Sequence, residues 1–178
     1  MRKKINNIDI ATKVIHSGNH PDKETGAIIP PIFQTSTYVQ KSPGVHQGYE
    51  YSRSHNPTRT RLEECLASIE SGKHAVVTSS GLSAVMLAMH ALPAGSTIVC
   101  GDDVYGGTYR LFTTTFNSLH KFVFIDTTDL KLLEKTLKEE KPKVLWLESP
   151  TNPTLKITDI AKASKMAKKH KTITIVDN

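Results

Sequence analysis

The sequence holds only two cysteines, Cys65 and Cys100, and a single tryptophan. It has no apolar run approaching the ~18 residues that a membrane-spanning helix requires. Two cysteines provide no disulfide framework and suit a reducing compartment, so a cytoplasmic location is expected. The amino terminus is basic, but no apolar stretch follows it, and it does not read as a secretory signal. Proline (9) and glycine (10) are too sparse for collagen-like or low-complexity classes, while 38% hydrophobic content excludes a disordered tail. At 178 residues a compact chain buries about 70% of its unfolded surface, enough for one sizeable core or a large piece of one. No G-x-G-x-x-G or Walker pattern occurs, which removes support for a nucleotide-binding module.

What is present is an excess of positive charge: 23 Lys+Arg against 17 Asp+Glu. Five lysines (Lys162, Lys165, Lys168, Lys169, Lys171) crowd one segment. No aromatic side chains are interleaved with them for base stacking, so they read as a solvated helix face, and neither nucleic acid nor membrane is expected as a partner. His16 and His20 are four apart, yet Gly18 and Pro21 break any helical face they could share, and no metal site is expected.

From residue 59 onward the apolar pattern alternates between helical and strand periods. Leu62, Cys65, Leu66 and Ile69 recur at i, i+3, i+4, i+7, and Gly72 is expected to stop that helix. A short strand over 75–78 comes next, then a helix carrying Leu82, Val85, Met86 and Met89, and a turn at 93–95. Strands are predicted at 97–100, 121–125, 144–147 and 173–176. Helices are predicted around Tyr109, Phe112, Phe116 and Leu119, over 129–140 and over 158–170. Short apolar strands separated by helices require crossovers, so the expected class is α/β with a mostly parallel sheet covered by helices on both faces.

Residues 1–58 differ, being rich in turn formers and without a sustained period. Such an arm is too long for a passive loop and is expected to pack on something, a neighbouring subunit being one candidate. The expected organisation is therefore an arm over 1–58 and an α/β part over 59–178. If Ile28, Ile29, Ile32 and Phe33 of the arm stay uncovered, self-association is expected. The chain stops directly after an apolar strand, at a position where open parallel sheets meet ligands. It therefore reads as cut at a functional point.

Five segments carry chemistry. Residues 78–84 (Thr-Ser-Ser-Gly-Leu-Ser-Ala) precede a helix, where backbone N–H groups can hold an anion; the same residues also serve as an N-cap and packing glycine. Residues 49–58 contain Tyr51 and Arg53, the latter a planar fork suited to phosphate, or else simply form an exposed turn. In 101–110, Tyr105 beside Gly106 and Gly107 could present its ring to a planar ligand, with Arg110 aimed at the same cleft; a Gly-Gly turn with a tyrosine over the core is the alternative. Residues 148–153 form a polar rigid turn in which Asn152 could bond a ring substituent, a plain turn being the alternative. Asp177 ends an apolar strand expected to be buried, where an unpaired carboxylate has a raised pKa unless it lies at an open edge or faces a cation such as a protonated cofactor ring.

The ordered set Tyr-Ser-Arg-x-x-Asn-Pro-Thr, Ser-Gly-Leu-Ser-Ala, Asp-Asp-Val-Tyr-Gly-Gly-Thr, Glu-Ser-Pro-Thr-Asn-Pro and Val-Asp-Asn closely resembles the transsulfuration (cystathionine γ-synthase / γ-lyase) family of pyridoxal-phosphate enzymes. The resemblance runs from about residue 10 to the end and covers rather less than half of a family chain. It implies the first part of a fold type I, aspartate aminotransferase-like domain, incomplete and preceded by an arm, with pyridoxal 5′-phosphate as cofactor. Gly81 and Leu82 would bind the cofactor phosphate through backbone N–H groups, and Tyr51 and Arg53 would reach it from the neighbouring subunit. Tyr105, the catalytic residue carried by this chain, would stack on the pyridine ring. Asn152 would bond the 3-oxygen side, Asp177 would keep the ring nitrogen protonated, and Arg110 would lie near the substrate. Glu148 is family-typical without an assigned role.

The implied activity is elimination or replacement at the γ (or β) carbon of sulfur amino acids in a homodimer or homotetramer. Gly107 stands where methionine γ-lyases carry a cysteine, which favours cystathionine chemistry. The Ser-x-Thr-Lys segment with the Schiff-base lysine is expected beyond residue 178. The alternative reading of the chain as it stands is a catalytically incompetent fragment or partner-binding subunit.

Overall fold

The computed structural model describes residues 9–178; the basic amino terminus read against a secretory signal lies outside them. Two compact units result, one ending at Thr78 and one spanning Ser79–Asn178. No helix among the described residues is long and apolar enough to cross a membrane.

The first unit contains α1 (Ile10–His16) and α2 (Pro57–Ile69). Helix α1 lies within the segment expected to lack a sustained period; its Asp9 cap accepts from the Ala11 N–H at 2.9 Å. Seven residues are too short for a periodic signal, and α1 gains support by packing on α2 instead. Gly18, with φ of +73°, sits where the chain leaves α1. A Cβ there would stand 2.5 Å from the Arg61 carbonyl oxygen, so only glycine fits against the α2 backbone. Helix α2 starts by the rules, with the Asn56 side chain accepting from the Thr58 N–H and Pro57 in the first turn.

Helix α2 ends at Ile69, before the expected Gly72, because Ser71 takes the left-handed conformation (φ of +56°) and the Gly72 N–H closes on the Ala67 carbonyl. Among the described residues no strand is formed over 75–78, and the Val77 N–H bonds to the Glu63 side chain. Ile28, Ile29 and Ile32 are each at least 70% exposed and Phe33 is 40% exposed, the condition under which self-association is expected.

The second unit is an all-parallel sheet of β1 (Thr97–Gly101), β2 (Lys121–Ile125), β3 (Val144–Glu148) and β4 (Ile173–Asp177), in the order β2-β1-β3-β4. Its helices are α3 (Gly81–His90), α4 (Gly106–Arg110), α5 (Leu130–Glu140) and α6 (Ile160–Lys169). Side chains alternate across the sheet as a two-residue period dictates. Ile98, Cys100, Val144 and Trp146 join Val85, Met89, Phe112 and Phe116 in one cluster. On the opposite side Val99, Leu145 and Leu147 join Leu133, Leu137, Ala163 and Ala167. Strand β3 is buried throughout, which explains its unbroken apolar run. Strand β4 lies at the sheet edge with Ile173 and Val176 exposed, so it is not the buried strand expected.

The helix expected around Tyr109 to Leu119 is α4 continued by a single π-helical turn, Leu111–Thr115, closed by the Phe116 N–H on the Leu111 carbonyl. The wider turn buries Phe112 and Phe116 and leaves Tyr109 and Leu119 exposed.

The strand order carries the functional consequence. From β1 the chain moves to β2 on one side, then crosses back to β3 on the other. The loops leaving the carboxyl ends of β1 and β3 diverge and open a crevice, the place where open parallel sheets receive ligands.

Candidate functional site

A cavity of about 480 Å³ occupies this crevice, within the range of small-ligand sites. One wall is the first turn of α3, with Ser80, Gly81 and Leu82 at its start and Val85 below. The Ser80 hydroxyl accepts from the Ser83 N–H at 3.1 Å. The leading N–H groups of a helix have no intrahelical acceptor and carry the positive end of its dipole, which makes this wall a receptor for an anion.

The loop after β1 supplies Tyr105 and Thr108. Tyr105 leads into α4 with its side chain half exposed. Its ring covers Gly107, where a Cβ would stand 2.3 Å from the Tyr105 Cε1; an absent side chain is what lets the ring lie there. From β3 come Glu148 and Pro150, and from β4 Asp177, with Asn178 beside it. Burial pushes the Asp177 carboxyl above its ordinary value, as expected of a carboxylate in a partly dry site.

Two carboxylates bind the loops after β1 and β3 to each other. Glu148, only 7% exposed, accepts from the Tyr105 backbone N–H at 2.8 Å through Oε2 and from the Asn152 backbone N–H at 2.9 Å through Oε1. In the opposite direction Asp103 accepts from both Thr151 and Thr154 hydroxyls and from the Thr154 N–H at 3.2 Å. The Thr151 hydroxyl first, then that of Thr154, holds the Asp103 carboxyl below the usual carboxylate range. The Cys100 thiol is pushed far up, by burial first and by Glu148 and Asp102 next, which makes it an inert packing group.

Of the residues singled out in the sequence, Gly81, Leu82, Tyr105 and Asp177 share the cavity. Asn152 does not line it; its exposed side chain follows a backbone N–H anchored by Glu148. Arg110, expected to aim into the same cleft, is also outside the lining; it is exposed, with Nη1 3.6 Å from the position a Gly106 Cβ would take. Tyr51 and Arg53 belong to the first unit, where the Arg53 guanidinium lies 5.0 Å from the Tyr51 ring centre. The roles of Glu148 and Asp103 were not visible in the sequence, because their partners in the facing loop lie 43 to 51 residues away.

Comparison with known proteins gives one consistent answer. A family model described as Cys/Met metabolism PLP-dependent enzyme matches residues 11–178. A probable cystathionine gamma-synthase of Herpetosiphon aurantiacus is 51% identical over 170 residues, covering 94% of this chain and 53% of that protein. A cystathionine beta-lyase of Coxiella burnetii is 48% identical over 171 residues, covering 95% and 44%. Among solved structures, the cystathionine gamma synthase of Xanthomonas oryzae pv. oryzae in complex with cystathionine superposes with a TM-score of 0.88 at 38% identity, over 96% of this chain and 44% of that one. The chain thus spans about half the length of the relatives it matches.

Proposed function

The chain belongs to the Cys/Met metabolism PLP-dependent enzyme family, and from that premise we propose that its cavity receives pyridoxal 5′-phosphate and that the whole protein performs elimination or replacement at the γ (or β) carbon of a cystathionine-like sulfur amino acid. The observation that carries this reading is the polarity of the cavity. An anion-receiving helix start (Gly81, Leu82) and a carboxylate that burial leaves in need of a cation (Asp177) line one space, with the Tyr105 ring between them in the chain. A ligand bearing a phosphate at one end and a protonatable ring nitrogen at the other meets both demands.

When bound, the cofactor supplies an electron sink for the substrate carbanion. The residues of this chain bind and orient it. The N–H groups of Gly81 and Leu82 take the phosphate, with Tyr51 and Arg53 of the neighbouring subunit as further donors. Tyr105 covers the ring face and Asp177 keeps the ring nitrogen protonated. Asn152, for the 3-oxygen side, and Arg110, near the substrate, belong to this reading by the family resemblance alone, since neither lines the cavity. This arrangement calls for a homodimer or a homotetramer of such dimers, with residues 1–58 as the arm that crosses between subunits, and the two free cysteines suit the cytoplasm.

The deciding experiment uses the full-length protein. Uptake of pyridoxal 5′-phosphate with a yellow absorbance, and release of a ketoacid and a thiol, or of an exchanged product, from cystathionine-type substrates are expected. A well-folded full-length preparation that takes up no cofactor would overturn the reading.

A further inference from the structure

Glu148 is a buried carboxylate spent entirely on backbone. Burying a carboxylate is unfavourable unless it is paired or well hydrogen-bonded. Among the described residues none of the ion pairs includes Glu148; both of its oxygens accept from N–H groups, one in each of the two loops that flank the crevice. An apolar side chain at the end of β3 would leave both N–H groups without an acceptor. A carboxylate brings two acceptor oxygens pointing in different directions, which neither an amide nor an apolar group offers.

What it holds is specific. At the entry to α4, the Tyr105 N–H is fixed from the facing loop by Glu148. With that N–H fixed, the Tyr105 ring lies over Gly107, in the space a side chain there would take. The second oxygen fixes the N–H of Asn152 in the facing turn.

We propose that Glu148 is a positioning residue: its carboxylate holds Tyr105 and Asn152 at one spacing and so sets the ring orientation of the cofactor. This rests on the cofactor reading of the cavity above. Glu148→Gln keeps the shape but turns one acceptor into a donor facing an N–H, while Glu148→Asp keeps the charge and is one methylene too short to reach both partners.

The test uses the full-length protein, E148Q, E148D and, as a control for lost stability alone, T136A, whose hydroxyl bonds only to the Leu132 carbonyl within α5. In wild-type apoprotein the Tyr105 and Asn152 amides exchange hydrogen slowly, and in E148Q both exchange faster. E148Q also binds added pyridoxal 5′-phosphate about tenfold more weakly, and the visible circular dichroism of its bound cofactor changes, while T136A leaves all three readouts at wild-type values. Rapid exchange of both amides in the wild type, or an E148Q protein with wild-type exchange, affinity and dichroism, overturns the proposal. If E148Q does not fold, E148D gives the same readouts and the wild-type exchange measurement decides independently. A wild-type protein that binds no cofactor overturns the cofactor reading and this inference with it, whereas a normal wild-type holoenzyme beside an unchanged E148Q overturns the inference alone.

Discussion

The ring of Tyr105 occupies the space in which Gly107 would carry its side chain, with Cε1 2.3 Å and Cδ1 3.0 Å from that Cβ position. Any residue with a Cβ at 107 must therefore displace the ring. Because Tyr105 is half exposed, the ring can swing into solvent at little cost to the fold. Gly107→Val, whose branched side chain no small shift of the ring can accommodate, is expected to shift the melting temperature slightly and to weaken pyridoxal 5′-phosphate binding about tenfold, read by titrating cofactor absorbance. Unchanged affinity would show that the ring position is immaterial.

Asp177 gives a prediction with opposite signs for apoprotein and holoprotein. Burial raises its pKa, so the folded apoprotein is penalised once pH rises through that raised value and escapes the penalty below the ordinary 3.8. Asp177→Asn is expected to melt at a higher temperature than wild type at neutral pH without cofactor, the gap closing as pH falls toward 3.8. With cofactor present the order is expected to reverse under the role proposed for Asp177, since the asparagine cannot hold the ring nitrogen protonated. Thermal melts of both forms across pH check both signs.

Asp103 is lowered by the Thr151 and Thr154 hydroxyls, so its contribution is present above 3.8 and is lost as pH falls through the lower folded value. Asp103→Ala is expected to speed amide exchange across residues 151–157, with the difference from wild type fading in acid.

Phe112 is fully buried, stacked on Phe122 at 4.6 Å and edge-on to Trp146 at 5.3 Å. Phe112→Ala should cost about 3–5 kcal/mol in denaturant unfolding. A loss below 1 kcal/mol, on the order of a surface change, would mean that the π-helical turn does not anchor this face.

If Tyr51 and Arg53 serve the neighbouring subunit, inactive R53A and inactive D177N full-length proteins should complement when unfolded and refolded together. Random pairing in a symmetric dimer restores about a quarter of the wild-type sites. No recovered turnover in mixed dimers would place Arg53 in its own subunit's site.

The alternation of Ile98 and Cys100 with Val99, and of Val144 and Trp146 with Leu145 and Leu147, was legible in the sequence because a sheet covered on both faces sorts its side chains by a two-residue period. The segment 75–78 is apolar like a strand, yet among the described residues it joins no sheet, and the Val77 N–H bonds to Glu63. Helix α1 escaped notice because its seven residues depend on packing against α2. In the site, Gly81, Leu82, Tyr105 and Asp177 announced themselves by following or preceding regular elements, where backbone and side chains are free to meet ligand. Glu148 stood in a visible motif, but its hydrogen bond to Tyr105 spans 43 residues and depends on the β1–β3 pairing.

The mutual grip of Asp103 on the turn after β3 and of Glu148 on the loop after β1 makes the two segments a single cassette. Transplanting one of them alone into a relative would cut both anchors at once. Exchanging them as a pair keeps each anchor with its mate.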